Sequence, residues 1–327
     1  MVRLMQDVTG VTHFPCTKLV SNLRDKTRYV TYYRCLQFYL ALGLVLDKIH
    51  RVVASTQRTY MLPFIKFYND GRKNTKSEFE SLLYKLIANA FYGKTVENIR
   101  KRANVRMIAD PAKFVRSVSK ASNKRSSIIN ADLAMVENFR AKAILSKPIV
   151  VGCTILEFAK RIMYEFYYNC LLPTFGDRLH LCFTDMDSFV CYVESDDLVG
   201  AIPDQYLNTS NFEHTHPLYS STNFCALGKF KSETADVPPT EFCGLRSKMY
   251  SLSTITSDRE YRKANGVPKS YVKKHVTHEQ YLHVLRHLSR TWCTFHTFLS
   301  RNHRVTTRIM SKVCLSLRAL RGSHQVL

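Results

Sequence analysis

Two aspartates one residue apart, Asp185 and Asp187, sit inside the apolar stretch LHLCFTDMDSFVCYVES of residues 179–195. Carboxylates that close repel each other and favour a cation. Hard oxygen donors suit Mg2+, which keeps part of its water shell and takes one or two carboxylates together with substrate phosphates. Such a pair is half of a two-metal site for in-line phosphoryl displacement. The plainer alternative is an exposed turn with idle acids, and the strand-like runs on either side weigh against it. A second set, Lys85, Asn89 and Tyr92, falls at i, i+4 and i+7 and so shares one helix face. A lysine, an amide and a phenol on one rigid face can hold a triphosphate, a base and a sugar edge, and Gly93 lets backbone come close. The competing reading is a solvated stripe opposite the core. A third pair, Lys248 and Tyr250, shares one face if strand alternation holds. A cation beside a phenol suits a phosphate backbone and a groove edge.

Three look-alikes fail. KLIANAFYGKT, residues 85–95, ends like a phosphate-binding loop, but the glycine such a loop needs five residues before its Gly-Lys pair is Ala88 here. HEQYLH, residues 278–283, resembles a zinc-binding H-E-x-x-H, but its second histidine comes one residue late and falls ~140° around the helix. His278 and His283 therefore read as surface residues. The ten cysteines form no C-x-x-C pair and lie in apolar stretches. They read as buried, reduced thiols of an intracellular protein, supporting neither a zinc site nor a disulfide framework.

These residues need elements to position them. Residues 29–43 have a helical pattern with Gly43 as a stop, and LVLDKIHRVV, residues 44–53, reads as a strand. A short helix is expected over 60–68, then a turn at Asp70-Gly71. Ser77 and Glu80 form a capping box for the next helix. Its apolar stripe is Phe79, Leu82, Leu83, Leu86, Ile87 and Ala90, and Gly93 ends it. Residues 96–125 carry nine Lys/Arg against Glu97 and Asp110, and their serines suggest loops or a small hairpin. That basic surface either meets a polyanion or is simply solvated. Helix returns over 149–172. Two strands flank the acidic turn of 179–195. Residues 228–252 read as strands joined by a Pro-Pro loop, and Thr277 with Gln280 caps a helix over 278–290.

The 327 residues suffice for two or three subdomains. A hydrophobic fraction of 45% predicts a packed core. Lys and Arg number 48 against 26 acids, a net charge of +22, which implies an anionic partner. Nucleic acid is the first candidate, because phosphate neutralisation dominates such binding. A solvated basic surface and a membrane-surface binder are the alternatives. The longest uncharged apolar run, FYLALGLVL at 38–46, is far short of the ~20 residues a span needs.

Taken together and in order, the three constellations resemble a family B DNA polymerase of the protein-primed branch. KLIANAFYG resembles the K-x3-N-S/A-x-Y-G helix of the fingers, TDMDS the T-D-T-D-S hairpin of the palm, and LRSKMY the K-x-Y motif. Longer stretches are similar to polymerases of Maverick/Polinton transposons and related viruses: YYRCLQFYLALGLVLDKIHR, FYGKTVENIRKR, KPIVVGCTILEFAKRIMYEFYY, GKFKSETADVPPTEFCGLRSKMYSL and RKANGVPKSYVKKHVT. The resemblance runs from about residue 17 to about residue 314.

The resemblance implies roles. Lys85 would contact the incoming deoxynucleoside triphosphate, and Asn89, Tyr92 and Gly93 would line its pocket. Asp187 would be a main ligand of two catalytic Mg2+ ions, with Asp185 in support. Lys248, Tyr250 and Arg246 would hold the DNA primer-template, and a terminal priming protein is a further implied partner. No membrane partner is expected. The implied setting is intracellular, the nucleus for a mobile element or a viral replication site. Met186 stands where the family has threonine. The family's other catalytic aspartate strand does not precede residue 27, where the acids are Asp7 and Asp25, and the exonuclease domain is not seen. The chain is therefore expected to be the C-terminal part of such a polymerase.

The expected fold class is α+β, an incomplete right hand with an antiparallel palm sheet and helical fingers and thumb. Residues 1–58 would be the first part of the palm and 59–95 the fingers. Residues 96–147 would be a basic insertion, 148–254 the rest of the palm, and 255–327 a basic thumb-like region. The expected function is template-directed nucleotidyl transfer. The alternative is a catalytically inactive DNA-binding remnant of a mobile element.

Overall fold

The computed structural model describes residues 25–140, 142–185, 187–234, 237, 239–254, 260–301, 304–317 and 323–325. The fold is α+β with antiparallel sheets. The chain divides into two compact units. One is built around Tyr32–Phe158 with Thr297–Arg308, the other around Ala159–His296 with the residues from Ile309 onward.

In the Tyr32–Phe158 unit, α1 (Tyr33–Ala41) stops two residues before Gly43, whose φ of 96° only glycine adopts freely. Glu157 anchors its start. The Glu157 carboxylate accepts from the Tyr32 N–H at 3.4 Å, and the Cys35 thiol donates to the Glu157 carbonyl at 3.2 Å. The strand expected over residues 44–53 is not formed. No other strand lies beside it among the described residues, and a strand needs a partner for its backbone groups.

Next come α2 (Leu62–Asn74) and α3 (Glu78–Thr95). The helix expected over 60–68 runs on through Asp70-Gly71, so the turn expected there is corrected. Gly71 serves packing instead: a Cβ there would meet the Tyr84 ring at 2.8 Å. Only half of the Ser77–Glu80 box forms. Ser77 Oγ accepts from the Glu80 N–H at 3.4 Å, but the Glu80 carboxylate turns to the Thr75 hydroxyl. Gly93 does not end α3, which continues to Thr95.

The basic stretch is more than loops or a hairpin. Strands β1 (Asn104–Ile108), β2 (Asn123–Asn130) and β3 (Leu133–Asn138) form an antiparallel sheet in the order β1-β3-β2. The helix α4 (Pro111–Val118) is capped by Asp110, which accepts from the Ala112 N–H at 2.8 Å. The helix α5 (Ile149–Phe166) follows. Its Gly152 lies so close to Thr95 and Val96 that a Cβ would clash with both, so the end of α3 is held against α5 by a missing side chain.

In the other unit, α5 passes through a π-helical turn at Tyr167–Leu171 into α6 (Leu172–Phe175). Strands β4 (Leu179–Asp185) and β5 (Ser188–Val193) pair antiparallel around the acidic turn, as the sequence predicts. Phe189, Cys191 and Val193, alternate residues of β5, pack on the core of Phe166, Cys170, Leu171, Phe175 and Leu179. Residues 194–232 are largely turns, laced by side chains such as Asn223, and Phe230 stacks on Phe166 at 4.0 Å.

Strands β6 (Pro239–Arg246), β7 (Met249–Thr254) and β8 (Tyr261–Ala264) form a second antiparallel sheet in sequence order. The strands of 228–252 are joined at Ser247-Lys248, not at a Pro-Pro loop, because Pro239 opens β6. The helices α7 (Lys269–His275) and α8 (His278–His287) pack on this sheet. The Thr277–Gln280 capping box is present. The rest of the described basic end is strand: β9 (Arg290–Arg301), β10 (Arg304–Ser316) and β11 (Ser323–Gln325), where helices were expected. Cys293, Cys314 and Leu315 join Met249, Tyr281 and Val284 in one core. Each fully buried large side chain there contributes roughly 1.5–3 kcal/mol.

Candidate functional site

The β4–β5 hairpin closes with Asp185 paired in register with Ser188, so Asp185 ends a strand and Asp187 lies in the turn. Asp187 is exposed and makes no ion pair among the described residues. A register shift between Leu181 and Phe183 turns the Phe183 ring onto Tyr250 at 4.8 Å, with Phe242 at 6.4 Å on the same side. Bulges next to sites commonly re-aim a side chain in this way.

The β6–β7 hairpin supplies the other wall. Arg246 and Met249 pair in register, leaving Ser247 and Lys248 as a two-residue turn. Lys248 has φ of 58°, a left-handed conformation. The expectation that Lys248 and Tyr250 share a strand face is therefore corrected, because Lys248 is not in the strand. Both nevertheless reach the acidic hairpin. Lys248 Nζ stands 3.9 Å from Asp185 Oδ2, while Tyr250 meets Phe183. Lys248 is exposed and Asp185 half-buried, and pairs open to solvent contribute ~0–1 kcal/mol, so this one orients groups more than it stabilises the fold.

Burial pushes the Tyr250 phenol above its ordinary pKa, and the carboxylates of Asp185, Glu233 and Asp187 push it further. Tyr250 therefore stays a neutral hydrogen-bond donor beside the two acids. Half-buried Arg246 donates to the Met249 sulfur at 3.4 Å, and its burial lowers the guanidinium pKa.

Lys85, Asn89, Tyr92 and Gly93 all lie on α3 of the other unit. Lys85 and Asn89 are exposed and Tyr92 is half-buried. A Cβ at Gly93 would meet nothing within 4 Å, so its backbone is open to close approach. Lys85 also lines a shallow groove of about 360 Å³ with Arg72 and Lys76, two cations that sequence reasoning did not single out.

His278 is not a surface residue. It is 4% exposed, its Nδ1 lies 2.9 Å from the Ser251 hydroxyl, and its Nε2 is 3.3 Å from a Glu241 carboxylate oxygen. The α8 cap carries it onto β7, a tertiary effect that no local pattern announces. His283 is exposed. Of the thiols read as buried, Cys153 and Cys182 are exposed, and Cys16 lies outside the described residues, as does Met186.

No group of three or more His, Cys, Asp or Glu side chains placed to hold a metal occurs among the described residues. Two aspartates still fit Mg2+, whose remaining ligands are ordinarily water and substrate phosphate. No helix among the described residues is long and apolar enough to cross a membrane. Comparison with family models, with curated proteins and with solved structures gives no match.

Proposed function

We propose that the chain is the fingers, palm and thumb part of a template-directed DNA polymerase of the family B, protein-primed type. The observation that carries this reading is the meeting of two motifs far apart in sequence: the Asp185–Asp187 hairpin and the Lys248 turn, 3.9 Å apart at their charged ends. Asp187 and Asp185 would hold Mg2+, which supplies charge neutralisation at a phosphoryl group undergoing transfer. Lys248, Tyr250 and Arg246 would hold the primer-template. Lys85, with Asn89, Tyr92 and Gly93, would receive the deoxynucleoside triphosphate. A terminal priming protein would be a further partner, in a nuclear or viral replication setting.

The test uses Mn2+ as a spectroscopic stand-in for Mg2+, measured by electron spin resonance with primer-template and deoxynucleotide present. Asp187→Asn should weaken Mn2+ binding by about tenfold or more while duplex affinity holds. Mn2+ binding that survives Asp185→Asn together with Asp187→Asn would sink the polymerase reading. A second reading, DNA binding without nucleotide transfer, draws on the exposed cations of the basic stretch: Arg100, Lys101, Arg106, Arg116 and Lys120 make no ion pair among the described residues. It predicts duplex binding with no metal dependence on either aspartate.

A further inference from the structure

From Val45 to Arg58 no backbone group hydrogen-bonds to another described residue. The side chains of this segment are strand-like all the same. Val45, Ile49, Val52 and Val53 are β-branched and 92%, 60%, 76% and 76% exposed. Unpaired backbone with exposed apolar side chains is what an open sheet edge presents to another chain. The identity of that chain is written in the polarity of the segment.

We infer that the partner is a second copy, paired antiparallel through residues 44–54 with Ile49 opposite itself. The pattern is self-complementary about Ile49 on the face that carries Val45, Asp47, Ile49, Arg51 and Val53, while the other face sets Lys48 beside His50. In that register Val45 faces Val53, Asp47 faces Arg51, and Leu46 faces Val52, and the two-fold axis repeats each pair. Both Asp47 and Arg51 lack an ion pair among the described residues, so each is available. The alternatives are worse. Parallel pairing in register sets Asp47 on Asp47 and Arg51 on Arg51, and like charges directly opposite destabilise. Sliding the antiparallel register by two residues sets Asp47 on an apolar residue. The two copies, each of net charge +22, repel at long range, but that repulsion is screened beyond ~8 Å at physiological salt, whereas the facing Asp47–Arg51 pairs are not separated by that distance.

The experiment uses the full chain, with no nucleic acid present, so its outcome is separate from that of the polymerase reading. Ile49→Cys should give a disulfide-linked dimer under copper-phenanthroline oxidation, and Val45→Cys, which faces Val53, should not. In sedimentation equilibrium Asp47→Arg alone, or Arg51→Asp alone, should weaken dimerisation about tenfold or more, because two attractive cross-strand pairs become repulsive. The double exchange should restore it. All four substitutions are at exposed positions, so the fold is not at stake. A wild-type chain that stays monomeric at tens of micromolar, equal cross-linking at Val45→Cys, or a double exchange as weak as the singles would overturn the inference.

Discussion

Lys248 occupies a backbone conformation that favours glycine, with φ of 58°. A side chain there costs on the order of 1 kcal/mol, and such strain persists where the side chain is needed. Replacing it should separate the two roles. Lys248→Gly should raise stability by about 0.5–1 kcal/mol in urea unfolding and weaken primer-template binding in fluorescence anisotropy. Unchanged DNA affinity would remove Lys248 from the interface, and a less stable variant would show that the strain is met elsewhere. The sequence singled this residue out and misread its geometry. Lys248 and Tyr250 are two apart, which in a strand means one face, but Ser247-Lys248 carries no glycine or asparagine to announce a two-residue turn. Asp185 and Asp187 were legible because the alternation on both sides of them is local. His278 was not, since its burial depends on Ser251 and Glu241 arriving from the sheet.

At the level of elements, Glu97 ties the end of α3 to the basic stretch. Arg102 grips its carboxylate with two bonds, Nε to Oε1 at 2.7 Å and Nη2 to Oε2 at 2.5 Å, and Lys94 and Lys147 each stand 3.5 Å away. The Arg102 hydrogen bond chiefly, with the positive charge of Arg102, Lys94 and Lys147, lowers the Glu97 pKa to about 2. A lowered carboxylate pKa gives stability that is complete above the ordinary carboxylate range and lost as pH falls through the folded value. Glu97→Gln imitates the protonated acid. The wild type should therefore be the more stable at pH 6, and the gap should narrow steadily between roughly pH 4.5 and pH 2 in unfolding experiments. A gap independent of pH would mean that the charge of Glu97 does not matter. Helices α3 and α8 were legible from their caps, and β4–β5 from its period of two. Gly71 and Gly93 misled because glycine was read as punctuation, whereas Gly71 makes room for Tyr84. Residues 44–53 misled in a different way: a strand pattern states what a segment can pair as, not whether a partner is beside it.

Over the whole molecule, three of the four acids of the basic stretch, residues 96–147, are already occupied, while Asp132 is exposed and makes no ion pair among the described residues. Glu97 meets three cations, Glu137 meets Lys124 at 2.8 Å and Arg125 at 2.6 Å, and Asp110 meets Lys113 at 3.8 Å. The Lys124 hydrogen bond chiefly, with that of Arg125 and the positive charge of both, keeps the Glu137 carboxyl below its usual range, so it remains an anion that fixes two cations in place. Further cations on the same sheet and its flanks, among them Arg106, Arg116 and Lys120, are left facing solvent. A surface in which most acids are internally matched and cations remain is what the proposed phosphate partner would need, and the net charge of +22 extends that bias to the entire chain. Binding to a duplex should then be driven by counterion release. If six to ten phosphates are neutralised, affinity should fall by about 10³–10⁵ between 50 and 200 mM salt. Charge reversal at Arg106, Arg116 and Lys120 together should flatten the log–log salt slope by about two to three units, without altering the fold, since all three are exposed. Anisotropy titrations of a labelled primer-template across that salt range provide both numbers. A slope near zero would mean that the charge is solvated surface and that neither polymerase nor DNA-binding chemistry uses it. A steep slope untouched by the triple reversal would move the contact surface away from the β1-β3-β2 sheet.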